Sequence, residues 1–381
     1  MRSGLRYLAA LLPLAFLLVS APARAAYTPP EGAIFNRPTA AGAGAENVIQ
    51  NHLLNLINNA ASGSEIRVVM YTWRETAIRD ALISAHANRN VKVKVLMNNS
   101  VDGDSVDAYN ALRAGLGAYS ATGDSWAAQC KQGWGCLGTG INHNKFFMFS
   151  QVGTAQNVVV QTSANMTSGN RTNYWNNAYT VADAGVYGLY NGYFNRLKAG
   201  INRTTTPDND EYWTGGSGSH KLYTYPYAQS DTIVNVLDNV VCGTDANALT
   251  RIRVGVLKFG RTAIANKLVA LKNQGCRVYV VFEDFDGSSV GSIISGKLNG
   301  IKRCAATDNT VHSKYMTIES GSGSYAGTTG LKLVFTGSHN YHNNSLRYND
   351  ETLLRITGAT TYQQYENNFD EGLYAHCPAW G

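Results

Sequence analysis

The chain has 381 residues, of which 44% are hydrophobic, 15% charged and 10% aromatic, with 38 glycines and a formal net charge of +6. So much apolar and aromatic material at low charge density excludes a disordered chain, and the absence of a glycine period or a sustained heptad excludes collagen-like and coiled-coil architectures. The length allows two lobes, and the +6 argues for an anionic partner only if the positive charges belong to the mature protein.

Half of them do not. Arg2 and Arg6 precede an apolar run, Leu8 to Val19, too short to span a bilayer, and Ala23-Arg24-Ala25 is a small-x-small cleavage site. Residues 1–25 therefore read as a signal peptide, whose removal takes three arginines and no acid and leaves +3. No later run approaches the ~18 apolar residues of a membrane span. The expected mature protein is secreted, extracellular and without a transmembrane anchor. Its six cysteines, even in number and without paired C-x-x-C spacing, are expected as disulfides. Cys130 and Cys136 bracket a short loop and form the natural local pair, while spacing leaves the pairing of Cys242, Cys276, Cys304 and Cys377 open.

Along the mature chain, Glu46 to Ala60 carries helical spacing, Ile66 to Tyr71 is a β-branched strand, Thr76 to Asn88 is a second amphipathic helix, and Val91 to Met97 is a strand. After a Thr/Asp/Gly-rich linker the pattern returns: helix Asp231 to Val241, strand Ile252 to Leu257, helix Thr262 to Asn273, strand Arg277 to Phe282. Ile66-Arg67-Val68 aligns with Ile252-Arg253-Val254, and Thr76-Ala77-Ile78 with Thr262-Ala263-Ile264, at one common offset of 186. An internal duplication explains this economically. The expected fold class is α/β: two pseudo-twofold-related halves, 26–205 and 231–381, joined by a linker over 206–230, each a mixed, largely parallel sheet flanked by helices.

The duplication directs attention to residues that recur at equivalent places. His143-Asn144-Lys145 precedes the strand Phe146 to Phe149, and His312-Ser313-Lys314 precedes Tyr315 to Ile318; small-residue turns bearing Asn165 and Asn340 follow the next strand of each copy. On an extended segment residues i and i+2 share a face, so imidazole and ammonium of each triplet point the same way. Two imidazoles, two ammoniums and two amides suit the cleavage of a phosphodiester: a neutral imidazole attacks phosphorus, a protonated one serves the leaving alcohol, and the cations stabilise the charge on the nonbridging oxygens. No metal and no cofactor is needed, and none is expected.

The second copy, His312-x-Lys314 followed by Gly337-Ser338-x-Asn340 and Ser345-Leu346-x-x-Asn349-x-Glu351, closely resembles the signature of the phospholipase D superfamily. The resemblance extends over nearly the whole mature chain and implies a phosphohistidine intermediate, with the N-terminal histidine as nucleophile. Two departures stand out. Ser150 and Glu319 occupy places where the family often has Asp, and Asn176 and Tyr174 stand where the second copy has Glu351 and Asn349. Because a carboxylate stabilises imidazolium, Glu351 is expected to orient His312 as general acid, leaving His143 against an amide as nucleophile. The expected catalytic set is thus His143, Lys145, Asn165, His312, Lys314, Asn340 and Glu351.

These residues lead to a secreted hydrolase, a phosphodiesterase of phospholipase D type engaged in lipid degradation. Its substrate is a phospholipid at a membrane or micelle surface, and the phosphatidyl group can pass to water or to another alcohol. With +3 and no basic cluster, a secreted nuclease using the same chemistry ranks second, and a silent binder of a phosphorylated polymer ranks third. Since both half-sites lie in one chain, a monomer suffices.

Overall fold

The computed structural model describes residues 27–100 and 102–381; the expected signal peptide lies outside the described residues. Two mixed sheets face each other. In the first, the spatial order is Trp126–Gln129, Lys92–Met97, Glu65–Met70, Lys145–Val152, Ala155–Thr162, Tyr174–Ala182, with Gly32–Asn36 paired to the last of these. In the second, Gly300–Arg303, Arg277–Asp284, Arg251–Lys258, Lys314–Glu319, Lys332–Gly337 and Glu351–Thr357 repeat that order, strand for strand. The duplication is therefore a duplication of fold.

Each sheet is parallel at one side, where helices carry the chain across, and antiparallel through its middle, where hairpins such as Val152 to Ala155 do so. The parallel share is consequently smaller than the alternation of helices and strands suggests. The expected linker also differs: Trp213–Ser217 and His220–Tyr225 form a hairpin that continues the second sheet beside Glu351–Thr357. Its Leu222, Tyr223 and Tyr225 are buried, which a Gly/Thr-rich reading overlooks.

The strands bury both faces, which is why their sequences are nearly continuous apolar runs. In Lys145–Val152, Phe147 and Phe149 pack outward under the helices Val48–Asn58, Thr76–Arg89 and Gly103–Leu116. Phe146 and Met148 pack inward, in a central core that also receives Tyr315, Val334, Leu354 and Tyr365 from the other half. This shared core, capped by Ala184–Ala199 and Ala359–Asn367, packs the two halves against each other.

Backbone pairing stitches them as well. Asn309–Val311, from the second half, pairs in parallel with the start of Tyr174–Ala182, and Asn142 bridges Asp350 in the same sense. Three disulfides are present: Cys130–Cys136, as expected, with Cys242–Cys276 and Cys304–Cys377 resolving the pairing that the spacing left open. Among the described residues no helix is long and apolar enough to cross a membrane.

Candidate active site

Both His-x-Lys triplets lie where the two sheets meet. His143 and His312 each enter a strand that begins two residues later, and each is tied to the opposite half through its backbone: His143 N–H donates to Asp350 O at 2.9 Å, and His312 N–H to Trp175 O at 3.0 Å. The next residues along those opposite strands, Glu351 and Asn176, are thereby placed against the imidazoles. His143 Nδ1 lies 2.9 Å from Glu351 Oε2, and His312 Nδ1 lies 2.9 Å from Asn176 Oδ1.

This corrects the expected partnership. Glu351 orients His143, and the amide of Asn176 orients His312, because the bridges Asn142 to Asp350 and Val311 to Trp175 cross between the halves. Equivalence within one copy of a duplication does not reveal which copy's histidine a side chain reaches.

Both acceptors are held by serines at equivalent places. Ser338 Oγ donates to Glu351 Oε2 at 2.5 Å and Ser345 Oγ to Oε1 at 2.6 Å. On the other side Ser163 Oγ donates to Asn176 Oδ1 at 2.9 Å, while Asn176 Nδ2 donates to Asn170 O at 2.9 Å, which sets the amide with its oxygen towards His312. An acceptor at Nδ1 keeps the proton of a neutral imidazole there and leaves the Nε2 lone pair free. Tyr71 packs edge-on to His143 and Tyr174 stacks on His312, with ring centroids 4.9 and 5.7 Å apart.

Lys145 and Lys314 are fully buried, their ammonium groups bonded to the carbonyl oxygens of His143 and His312, and Lys314 Nζ also lies 3.1 Å from His312 Nδ1. Burial pushes Lys145 down to about 7 despite the opposing pull of Glu351, and pushes Lys314 well below the ordinary lysine range. Burial, followed by the charges of the two lysines, holds both histidines well below their usual value. Burial also pushes Glu351 up to about 7. The cleft is thus a desolvated place that disfavours positive charge.

The two turn asparagines are placed unequally. Asn165 lines the cleft with its Oδ1 unpartnered among the described residues, whereas Asn340 Oδ1 accepts the Lys258 backbone N–H at 3.3 Å. Ser150 and Glu319 lie towards the far ends of their strands, Ser150 accepting from Glu65 N–H and Glu319 pairing with Arg251 and Lys332, away from the histidines.

Two cavities flank the centre. One of about 600 Å³ contains His312, Asn165, Tyr174, Arg74, Lys258 and Glu283; the other, of about 410 Å³, contains His143, Tyr71, Ile141, His342 and Tyr348. Residue-by-residue reading left Asn176, Ser163, Tyr71 and Tyr174 out of the catalytic set. The first two carried a signal, since each stands at the offset from Asn165 that Glu351 and Ser338 have from Asn340.

Beside this centre the loop Cys130 to Gly140 grips Asp350. The N–H groups of Cys136, Leu137 and Gly138 donate to its carboxylate at 2.6, 3.0 and 2.8 Å. A Cβ at Gly138 would stand 2.0 Å from Tyr348 O, so only glycine admits this approach. Burial pushes Asp350 up to about 7 against the pull of those three donors.

A duplicated α/β scaffold with paired His-x-Lys strands defines a protein built for chemistry on phosphate groups. Consistently, the family model "Cardiolipin synthase, PLD-like domain" matches residues 53–198 and 245–373, and the chain belongs to this PLD-like family of the phospholipase D superfamily, whose enzymes act on phosphodiester or phosphate groups. Among solved structures, phosphatidylserine synthase from Haemophilus influenzae Rd KW20 is similar at 14% identity and a TM-score of 0.62, over 92% of this chain and 87% of that one. Polyphosphate kinase from Porphyromonas gingivalis is similar at 13% identity and a TM-score of 0.57, over 90% of this chain, which spans half of the kinase. The phospholipase D family member Nuc from Salmonella typhimurium matches at 16% identity, over 39% of this chain and 88% of its own, with a TM-score of 0.31. No curated protein matches the chain by sequence.

Proposed function

We propose that the protein is a secreted, metal-independent phosphodiesterase of phospholipase D type that cleaves the headgroup bond of phospholipids through a phosphohistidine. The observation that carries this reading is the pair of buried imidazoles, each with Nδ1 fixed by an acceptor from the opposite half and Nε2 left free, beside two buried lysines. Three disulfides suit an oxidising extracellular compartment.

His143 is the nucleophile, for a different reason than the sequence suggests. Its Nε2 attacks phosphorus while Nδ1–H donates to Glu351, so the positive ring of the phosphohistidine is compensated by a carboxylate as it forms. The P–O bond to the headgroup breaks, and protonated His312 gives its Nε2 proton to the leaving alcohol; an amide partner lets that proton go more readily than a carboxylate would. His312 then takes a proton from water, whose oxygen attacks phosphorus and releases His143. The anionic substrate supplies the charge that lets the lysines and His312 hold protons in a dry cleft.

In-line displacement puts the leaving group on the His312 side, in the larger cavity with Arg74, Lys258 and Glu283, which suits a polar headgroup. The aromatic cavity beside His143 suits the glycerolipid portion. An alcohol in place of water gives transfer. The test incubates the mature protein, with EDTA, against phosphatidylcholine vesicles and against plasmid DNA, in parallel with His143→Ala. Choline release lost in the variant is expected; DNA nicking without choline release would assign the same centre to nucleic acid.

A further inference from the structure

A second pocket, of about 330 Å³, lies on the outer face of the second sheet and shares no lining residue with the two catalytic cavities. Lys221 and Arg355 stand directly opposite each other in the antiparallel pairing of His220–Tyr225 with Glu351–Thr357. That places them four residues along the strand from Glu351, on the order of 13 Å away at about 3.3 Å per residue. Like charges directly opposite in a sheet repel. Here neither forms an ion pair among the described residues, and Arg355 Nε is buried without a hydrogen-bond partner. Tyr212, Tyr223 and Tyr325 wall the pocket, and Lys221 Nζ sits 5.1 Å from the Tyr223 ring centroid.

Two facing cations with no acidic partner among the described residues, an unpaired Arg355 Nε and ring walls around them form a site that suits an anion. We propose that this pocket is a second, noncatalytic binding site for a phosphate group, held between Lys221 and Arg355 and carried on a small organic scaffold that packs on the tyrosines. Burial, and then the charge of Arg355 opposite, lowers the Lys221 pKa from its ordinary value. The phosphate can be borne by a lipid headgroup or by a soluble ester; both present the same dianion to the pocket.

Calorimetric titration with inorganic phosphate tests the proposal on the mature protein and on Lys221→Gln/Arg355→Gln. The wild type is expected to bind one phosphate more than the double variant, while hydrolysis of bis(p-nitrophenyl) phosphate stays within about twofold. Equal stoichiometry in the two proteins overturns the site. Since the substitutions remove a repulsion, the melting temperature is expected to hold or rise; a fall shows that the pair serves packing, and it too overturns the site. Cosedimentation with phosphatidylcholine vesicles containing phosphatidic acid, in a His143→Ala background so that the lipid persists, separates the sources. Loss of pelleting in the double variant assigns a lipid-borne phosphate, and unchanged pelleting with a lost phosphate site assigns a soluble ester. The stoichiometry decides the matter whether or not the protein hydrolyses phospholipid.

Discussion

The two half-sites share a backbone plan and differ most in the group that meets each imidazole. At His143 the Nδ1 partner is the carboxylate of Glu351, and at His312 it is the amide of Asn176, each delivered from the opposite half and each gripped by a serine. The difference teaches how a duplicated site can become chemically unlike in its two halves without changing its frame. A carboxylate stabilises a ring that must carry positive charge through a covalent intermediate, while an amide fixes a tautomer and gives no such support.

The largest test of that contrast replaces the histidines in turn. His143→Ala should lose all turnover of every substrate, by a factor of 10⁴ or more on the order expected for a missing nucleophile. His312→Ala should lose about 10²–10⁴-fold with an alkyl leaving group and far less with p-nitrophenolate, which needs no proton. Equal sensitivity of the two variants to leaving group, measured as kcat/KM, would break the division of roles. Acid quenching of a reaction with ³²P-labelled substrate should place the label on His143, and a label on His312 would reverse the roles.

Next comes the carboxylate itself. Glu351→Gln should slow turnover about 10²-fold and yet leave the protein at least as stable at pH 8. The sign follows from burial: the Glu351 pKa is raised to about 7, so the folded state binds its proton more readily than the unfolded state, and stability falls as pH rises from the ordinary glutamate value through about 7. The glutamine variant lacks that loss, which thermal melting across this window reports. Asn176→Asp makes the two sides alike. It should raise the pKa of His312, moving the alkaline limb of kcat/KM upward by about one pH unit and lowering maximal kcat, since the acid then surrenders its proton less readily.

A smaller effect belongs to the loop around Asp350. Removing Cys130 and Cys136 together by Ser substitution should cost about 2 kcal/mol of stability from the loss of a short closed loop, read as a lower denaturation midpoint. A few-fold loss of kcat should accompany it through Asp350 and the adjacent Glu351. The smallest effect is expected of Ser150→Asp. It introduces the acid that the family resemblance implies at this place, yet should leave kcat/KM within about a factor of two, because Ser150 contacts the backbone of Glu65 far along the strand.

Much of this arrangement was legible in the sequence. Apolar runs and their return at a fixed offset announced two equivalent α/β halves, and the His-x-Lys triplets announced one centre. Cys130–Cys136 was legible because its loop is short. The partners of the histidines were not, since Glu351 and Asn176 reach them through bridges between segments some two hundred and some one hundred and thirty residues apart. Local pattern carries no information about pairing at that distance. The strands Trp213–Ser217 and His220–Tyr225 were hidden for a related reason. Their glycines and threonines read as a turn-rich connector, and only docking against Glu351–Thr357 makes them a sheet edge.

The crossing of Glu351 and Asn176 between halves has a consequence for symmetry. In a twofold dimer of one half-chain, the same residue would have to stand at both places, so both imidazoles would face a carboxylate or both an amide. Fusing two copies into one chain removes that constraint while the shared core of Phe146, Tyr315, Val334 and Tyr365 keeps the frame of the dimer. The covalent link between the halves is thus what permits the centre to be symmetric in backbone and unsymmetric in chemistry.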